Sequence, residues 1–568
     1  MIKLKKEVIK LLSSATGLPQ EEICSGISTP PNSDMGDLSF PCFKLSKVAG
    51  NKPNEVADDV VKKIQPCIDK GSVVETVVSK GPYVNFTAKR SAMYNEMLSF
   101  AVSLKSKGFR KDPNKKNIVI DYSSPNIAKP IAFHHIRSTM IGSIIGNIFE
   151  SLGYNVIRIN YLGDWGTQFG KLITAFEEFG DRNLLEKQGV KHLLDIYVKY
   201  HKAESPVLEE KARTWFKRME TGDEEAISYW KEFRELSIKE FNRVYDRLDV
   251  KFTNIEGESF YNNSSESLIS KIDDKIGVKE SEGALIVDLE AFNMPPVLLK
   301  KKDDTTLYAT RDLAAAYDRM NRFSFDESLY VVAHQQELHF KQIFKVLELM
   351  DCDWFSKCKH IQFGLLHLAE GKMSTREGNV VFLEDVIDKA VILAEKAISE
   401  KNPDLENKKE VAEAIGVGSI IFGDISKRRT QDIVFNWDEI LNFDGETAPY
   451  VQYTHARACS MLSKAGYGEL DIKSINNYSP DDLEYELIKL ILQFEDKLEE
   501  AKREYEPFIL ARYVLDICRV FNRYYYQEKI IDIEDDAKRM SKLALVYSSK
   551  ETIKEVLKII GIKAPQRM

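Results

Sequence analysis

A strand, a helix and a second strand follow one another between residues 117 and 161, and this unit constrains the fold more than any other part of the chain. An apolar run, Asn117 to Tyr122, precedes a helix that begins near Ile136, and a second apolar run extends from Asn155 to Tyr161. Apolar residues recur every three to four positions along the helix, and Gly153 can end it. Such a unit predicts half of a doubly wound, Rossmann-type α/β fold with a parallel sheet.

The same alternation continues to about residue 444, and the chain on either side of it differs in character. Residues 1–110 combine turn residues with short strand-like runs, which predicts an α+β N-terminal domain. Residues 111–444 form the predicted Rossmann domain, with a charged helical insertion near 171–250. Residues 445–568 are helical in pattern, so they predict an all-α C-terminal domain.

Composition and charge exclude several classes of protein. Seven cysteines without a C-x-x-C pair argue against a disulfide framework or a structural zinc site, so no metal ligands are expected and a reducing cytoplasm fits. No apolar run approaches the roughly 18 residues of a membrane span. The net charge of −8 means that any contact with nucleic acid must come from local basic patches.

Two turns at the predicted carboxyl edge of the sheet carry basic side chains. The first, residues 121–139, reads DYSSPNIAKPIAFHHIRST. The second, residues 372–379, reads KMSTREGN and lies between a predicted strand, Ile361 to Leu368, and a predicted helix, Glu384 to Glu400. Backbone N–H groups and basic side chains at such turns suit the phosphates of a nucleoside triphosphate. The two turns therefore predict a nucleotide site.

The residues of both turns resemble the signature loops of class I aminoacyl-tRNA synthetases, and within that class those of arginyl-tRNA synthetases. Family members read P-N-x-A-K-x-x-H-x-G-H in the first loop, and the matching residues here are Pro125, Asn126, Ala128, Lys129 and His135. The chain departs at Ala132, where the family has histidine, and at His134, where it has glycine. The string GDWGTQFG at 163–170 also resembles these enzymes, and the resemblance spans essentially the whole chain.

The resemblance implies that the two loops stabilise charge on the phosphates of ATP. The residues expected to do so are Lys129, His134 and His135 in the first loop and Lys372, Met373 and Ser374 in the second. The usual K-M-S-K-S has a second lysine where this chain has Thr375, and the resemblance implies that Lys129 supplies the missing charge. His134 is a candidate replacement for the absent imidazole. ATP with Mg²⁺ is expected as a substrate, without a tightly bound cofactor.

A planar guanidinium group is bound well by carboxylates in bidentate pairs. The resemblance places the arginine substrate beside acidic groups at Asp121, Glu258 and Asp312. It assigns the remaining contacts with the substrate to Ser124, Asn126, Tyr308 and Gln336. Tyr308 and Asp312 are four residues apart, so on a helix they would share one face.

Aromatic rings beside a cation can stack on and clamp unpaired bases. By resemblance to the family's helical anticodon-binding domain, the candidate tRNA contacts are Tyr450, Tyr453, Arg457, Tyr525 and Met568. Tyr83 and Asn85 in the N-terminal domain are expected to touch the D-loop. The expected partners are tRNA(Arg), L-arginine and ATP, with no membrane, and the protein is expected to be a cytoplasmic monomer.

The predicted function is that of an arginine–tRNA ligase, which forms arginyl-adenylate from arginine and ATP and transfers the arginyl group to the terminal ribose of tRNA(Arg). The family implies that tRNA must be bound before arginine is activated. Two alternatives stay open. A sister class I synthetase such as the cysteinyl enzyme needs a zinc site, which the cysteine pattern disfavours. A catalytically impaired RNA-binding relative is suggested by Ala132 and His134.

Overall fold

A computed structural model describes residues 1–30, 32, 35–106, 116–301, 308–368, 381–442, 445–468 and 478–568. The second of the two turns, with Lys372, Met373 and Ser374, lies outside the described residues.

The N-terminal part packs helices against a small antiparallel sheet. Its elements are α1 (Ile2–Thr16), α2 (Gln20–Gly26), β1 (Leu38–Pro41), α3 (Phe43–Ala49), α4 (Pro53–Ile64), β2 (Val74–Lys80), β3 (Tyr83–Ala88) and α5 (Arg90–Ser106). Leu4, Val8 and Leu12 recur every four residues on α1 and are buried, and Gly17 ends the helix with a positive φ of 73°. Among the described residues the sheet order is β1-β3-β2, with antiparallel pairs. The predicted α+β N-terminal domain is confirmed.

The central part is built on a parallel sheet. Its elements are β4 (Asn117–Asp121), α6 (His135–Ser151), β5 (Asn155–Leu162), α7 (Thr167–Phe179), α8 (Arg182–Gln188), α9 (Val190–Lys202), α10 (Pro206–Glu220), α11 (Glu224–Arg247), β6 (Asn254–Gly257), α12 (Asn262–Ile276), β7 (Lys279–Ser281), β8 (Ala284–Val287), β9 (Val297–Lys300), α13 (Tyr308–Phe323), β10 (Glu327–Tyr330), α14 (Glu337–Leu349), β11 (Cys358–His360), β12 (Leu366–Leu368), α15 (Leu383–Lys401), α16 (Lys408–Ile425), β13 (Ile433–Phe435) and α17 (Trp437–Ile440). Helices α7 to α11 lie between β5 and β6, over the stretch near 171–250 that the sequence predicts to be a charged helical insertion.

The strand order of this sheet reverses its direction of winding beside β4. In the described part of the chain five strands pair in the order β11-β10-β4-β5-β6, and all the pairs are parallel. The chain moves from β4 outward through β5 to β6 and later returns to β10 on the other side. Parallel sheets bind ligands where the direction of winding reverses, at the carboxyl ends of the strands. The predicted Rossmann-type fold is confirmed.

Helix α6 packs against this sheet over its whole first half. Every residue from Ile136 to Gly146 is buried, as expected for a helix surrounded by protein. A Cβ atom at Gly142 would lie 2.3 Å from the Cβ of Tyr122, so only glycine permits this close approach of helix and strand. The loop between β4 and α6 is therefore fixed at both of its ends.

The single strand expected at Ile361 to Leu368 is wrong. The structure has β11 before this segment, in the main sheet, and β12 at its end, paired in parallel with β13 in a separate sheet. Gly364 lies between them, where a Cβ atom would be 2.4 Å from the backbone oxygen of Gln431. The apolar pattern of the segment does not reveal this close backbone contact, which separates the two strands.

The C-terminal part is all-α, as predicted. Its helices are α18 (Ala448–Lys464), α19 (Asp482–Leu492), α20 (Phe494–Glu504), α21 (Phe508–Gln527) and α22 (Asp536–Ile559). Helix α19 contacts the N-terminal part, because Tyr485 donates a hydrogen bond of 2.7 Å from its hydroxyl to Asp37 Oδ2 and Arg90 pairs with Asp482 at 2.5 Å. Within the described ranges, none of the helices combines the length and the apolarity that crossing a bilayer requires.

Candidate active site and nucleic-acid interface

The loop that follows β4 has an unusual backbone that its neighbours hold in place. Ser123, Ser124 and Ala128 have positive φ angles of 71°, 48° and 63°, a region that costs energy for residues with a side chain. Their amides are satisfied by specific partners. Ser123 donates to Ser138 Oγ at 2.9 Å, Ser124 to Asn160 Oδ1 at 3.2 Å, and Ala128 to Ser237 Oγ at 2.7 Å. The protein's own side chains thus hold this loop in its conformation.

The first loop runs beside the GDWG segment that follows β5. The amide of Gly163 donates to the oxygen of Pro125, and the amide of Ile127 donates to the oxygen of Gly163, both at 3.2 Å. A Cβ atom at Gly163 would lie 2.0 Å from Asn126 Oδ1, so glycine is required for Asn126 to occupy its place. This contact brings Asn126 to the carboxyl edge of the sheet.

The two adjacent histidines lie at the start of α6. Their ring centroids are 4.2 Å apart, and the backbone N–H of Ala132 donates to His135 Nδ1 at 3.1 Å. The same Nδ1 lies 3.2 Å from the backbone oxygen of Ala132, so the ring accepts from the N–H or donates to the oxygen according to its tautomer. Burial, helped by the neighbouring His134, lowers the pKa of His135 to about 3. At neutral pH, therefore, the His135 ring is uncharged.

Lys129 lies on the side of the loop that faces the insertion. Its Nζ is 4.9 Å from the centre of the Tyr197 ring on α9, a cation–π contact. Lys129 thus connects the first loop to the helical insertion. Its ammonium group, which was expected to contact phosphate, contacts an aromatic ring here.

Each of the three predicted carboxylates has a cationic or histidine partner within the protein. Asp121 pairs with Arg319 at 2.7 Å, Glu258 with Arg311 at 2.9 Å, and Asp312 with His339 Nε2 at 2.6 Å. The first two pairs are buried, whereas the side chain of Asp312 is 23% exposed and that of His339 25% exposed. Both oxygens of Asp121 already have partners within the protein, Oδ1 with Ser124 Oγ and Oδ2 with Arg319.

These carboxylates form one acidic cluster at the carboxyl edge of the sheet. Asp312 interacts electrostatically with Asp121 and with Glu258, so the three groups share a site. Burial raises the pKa of Asp121, and it raises the pKa of Glu258 to about 8 although Arg311 opposes the shift. Tyr308, at the start of α13, is exposed beside them, with its ring centre 5.2 Å from the guanidinium carbon of Arg311. The arrangement suits a cationic ligand.

The polar residues predicted beside the carboxylates lie at the same edge. Ser124 donates from Oγ to Asp121 Oδ1 at 3.0 Å, which ties the first loop to the acidic cluster. Gln336 is exposed in the 3-10 helix that follows β10, next to β4 in the sheet. The structure thus brings Ser124, Asn126 and Gln336 to neighbouring strand ends.

Asp164 of the GDWG segment organises the backbone that carries Glu258. It accepts from the amide of Ser259 and from its hydroxyl, each at 2.9 Å, and pairs with Arg234 at 3.0 Å. A Cβ atom at Gly257 would lie 2.1 Å from Asp164 Oδ2. The sequence signal for this role is the GDWG string itself, which predicts a pocket-shaping segment.

On α18 a cation lies among aromatic rings. The guanidinium carbon of Arg457 is 4.9 Å from the Tyr453 ring centre, 4.8 Å from that of Tyr525 and 5.0 Å from that of Tyr526. Tyr453 is 43% exposed and Tyr526 is 72% exposed. Sequence reasoning did not select Tyr526, although it follows Tyr524 and Tyr525 directly. Exposed rings held around a cation can stack on unpaired bases.

The other candidate RNA contacts differ in accessibility. Tyr450 accepts at its hydroxyl a hydrogen bond of 3.1 Å from Asn522 Nδ2, and Met568 accepts one of 3.1 Å at its backbone oxygen from Asn402 Nδ2. Tyr83 is exposed, with its ring edge-on to Phe43. Asn85 is only 2% exposed, so its side chain cannot reach RNA without a local rearrangement.

Family comparisons cover almost the whole chain. The family described as tRNA synthetases class I (R), catalytic domain, matches residues 97–437. The DALR anticodon binding domain matches residues 451–568, and the Arginyl tRNA synthetase N terminal domain matches residues 3–88.

Curated relatives and solved structures agree with these matches. Proteins named Arginine--tRNA ligase from Halothermothrix orenii and Alkaliphilus metalliredigens are 44% identical over 575 residues and 45% identical over 572 residues, and each alignment covers 100% of both chains. The arginyl-tRNA synthetase of Thermus thermophilus superposes with a TM-score of 0.81 at 23% identity over 100% of both chains. That of Plasmodium falciparum gives 0.80 at 21% identity, over 100% of this chain and 99% of the other. At these identities the solved structures establish the fold alone.

The curated relatives confirm the resemblance inferred from the two loops, and the sister synthetase is excluded as an alternative. The chain belongs to the arginyl-tRNA synthetase family of class I aminoacyl-tRNA synthetases.

Proposed function

We propose that this arginine–tRNA ligase binds L-arginine at the acidic cluster of Asp121, Glu258 and Asp312 and binds ATP along the adjacent loop between β4 and α6. The observation that carries the proposal is the position of the cluster, whose Asp121 ends β4 at the switch point of the parallel sheet and accepts a hydrogen bond from Ser124 of that loop. An amino acid held there by its side chain would present its carboxylate to a nucleotide on the loop.

The reaction then takes place in two displacements. A carboxylate oxygen of arginine attacks the α-phosphorus of ATP, a new P–O bond forms, and the bond to pyrophosphate breaks. A ribose hydroxyl at the 3′ end of tRNA next attacks the carbonyl carbon, and AMP leaves. Both steps are accelerated mainly by positioning of the reactants and by stabilisation of phosphate charge, so no general base is assigned.

Asp312 is the carboxylate best placed to receive the guanidinium of the substrate. It is partly exposed, whereas Asp121 and Glu258 are buried against Arg319 and Arg311. The two inner acids are each offset by an arginine, so Asp312 would supply most of the negative charge, and Tyr308 would form one wall of the site. Lysine has a single compact ammonium group and cannot form the same planar, bidentate contact, so the site should favour arginine.

For ATP, the loop offers donors and positive charge. The neutral imidazole of His135 and the ring of His134 lie at the start of α6, where the helix N-terminus favours anions. Lys129 would leave the Tyr197 ring to reach phosphate, and Lys372, Met373 and Ser374 would act from the second loop. Mg²⁺ would arrive with ATP and offset charge on the phosphates.

Replacing His134 with alanine is expected to slow arginine-dependent ATP–pyrophosphate exchange by about 10²-fold, because one donor to the developing phosphate charge is removed. The matched control is His134→Gln, which keeps an N–H donor and should retain most of the rate. Exchange is measured with tRNA present. An unchanged rate in the alanine variant would show that His134 does not replace the absent imidazole.

We propose that tRNA(Arg) binds through both ends of the protein. The rings of Tyr453, Tyr525 and Tyr526 around Arg457 would hold anticodon bases together with Tyr450 and Met568, and Tyr83 would contact the D-loop. Arginine activation would depend on this complex. We also propose that the enzyme acts as a cytoplasmic monomer.

The proposal is tested by ATP–pyrophosphate exchange with arginine, measured with and without tRNA(Arg). Exchange that requires both arginine and tRNA supports it. A protein that binds tRNA(Arg) but catalyses no exchange would instead be the impaired relative suggested by Ala132 and His134.

A further inference from the structure

His339 on α14 contacts the carboxylate that is best exposed to substrate. Its Nε2 lies 2.6 Å from Asp312 Oδ2, and both side chains are about one quarter exposed, at 25% and 23%. Asp121 and Glu258 are paired with arginines, which stay charged at all relevant pH values, whereas Asp312 is paired with a group that can lose its proton. The partner of Asp312 thus differs in kind from the partners of the other two acids.

We infer that His339 is a positioning residue that orients Asp312 for the guanidinium of arginine and weakens arginine binding when it is protonated. This inference rests on the proposed arginine site. The neutral ring donates Nε2–H to one oxygen of Asp312 and leaves the full negative charge for the substrate. The protonated ring forms an ion pair with the same carboxylate and competes with the substrate guanidinium.

Other titratable groups lie near His339. In the described part of the chain, the titratable groups that interact with His339 are Asp312 on α13 and His360 on β11, whereas Glu337 on its own helix pairs with Lys341. His360 packs on the Phe340 ring with centroids 4.6 Å apart, and its Nε2 lies 2.9 Å from the backbone oxygen of Val332. His360 is therefore a matched control, since it is close to His339 and its described contacts are with other groups.

A second acid also contributes to the pH dependence of arginine binding. Burial raises the pKa of Glu258 to about 8, so Glu258 gains a proton as the pH falls through that value, and the site loses negative charge. The sign is the same as for His339, because acid weakens binding in both cases. A variant that changes His339 alone separates the two contributions, since Glu258 titrates in both proteins.

The experiment measures KM for arginine in aminoacylation at pH 8 and pH 6 with tRNA(Arg) in excess. His339→Gln keeps a donor at the position of Nε2 but cannot become charged. At pH 8, the KM of His339→Gln for arginine should stay within about threefold of that of the unmodified enzyme. The KM of the unmodified enzyme divided by the KM of His339→Gln should rise by at least about threefold from pH 8 to pH 6. Titration of the substrate cancels in this ratio.

His339→Ala removes the donor, and KM at pH 8 should rise about tenfold while kcat stays nearly constant. His360→Gln should leave both the KM and its pH dependence unchanged. The inference is overturned if the ratio of the KM of the unmodified enzyme to that of His339→Gln is the same at both pH values. It is also overturned if His339→Ala has a normal KM for arginine. An unmodified enzyme that charges no tRNA with arginine would refute the proposed function instead.

Discussion

Replacing Asp312 with asparagine is expected to lower kcat/KM for arginine by about 10²- to 10³-fold, the largest effect of any single change in the site. Removing one partner of a hydrogen-bonded charge pair costs about 2–5 kcal/mol, and the substrate would lose both a charge and a bidentate acceptor. The loss should appear mainly in KM, since the guanidinium lies far from the reacting carboxylate and is bound in the ground state as well as in the transition state.

The matched control is Asp318→Asn, six residues further along the same helix. The side chain of Asp318 is 29% exposed and pairs with Arg322, so it resembles Asp312 in burial and charge but faces a different partner. Its KM for arginine should stay within about twofold of the unmodified enzyme, as for most substitutions away from a site. If Asp312→Asn has a normal KM for arginine, the guanidinium binds elsewhere and the assignment of the pocket is wrong.

Replacing Arg137 with methionine is expected to have the largest effect on stability. Arg137 is buried on α6, with Nε 2.8 Å from Asp424 Oδ1, and it donates to the backbone oxygens of Gly364 at 2.6 Å and Gln431 at 2.8 Å. Breaking a buried ion pair by removing one partner costs about 3–5 kcal/mol, because a charge is left uncompensated. In addition, burial raises the pKa of Asp424, an effect that Arg137 opposes.

The same substitution should also impair catalysis, because Arg137 ties the helix of the first loop to the segment that leads toward the second loop. The unfolding midpoint and the exchange rate are measured on Arg137→Met, Asp424→Leu and the double variant. The double variant should be less destabilised than the sum of the two single variants, since it leaves neither charge unpaired. Fully additive losses would show that the two side chains do not act as a pair.

The local pattern of the sequence predicts the fold around the site well. The expected strand at Asn117 to Tyr122 is β4, and the helix expected near Ile136 is α6, which begins one residue earlier. Both predictions depend on apolar periodicity and on turn residues, which can be recognised from residues close together in the sequence. The break at Gly364 escapes prediction because its cause is the backbone of Gln431, far away in sequence.

The acidic residues of the candidate site follow from the resemblance, but their partners do not. Arg311 and Arg319 lie on an alanine-rich helix, where arginine ordinarily faces solvent, and no local pattern indicates that they are buried against Glu258 and Asp121. His339 likewise reaches Asp312 from a different helix. Pairing between distant elements is a property of the packed structure, and this is where the structure adds most to the account of the pocket.

The most direct test of the central account is aminoacylation of total tRNA with each of the twenty amino acids, each supplied separately with ATP and Mg²⁺. The arrangement of a carboxylate cluster beside a nucleotide loop predicts charging with arginine alone, of tRNA(Arg) alone, and loss of that charging in Asp312→Asn. Charging with another amino acid, or arginine charging that is unaffected by Asp312→Asn, would contradict it.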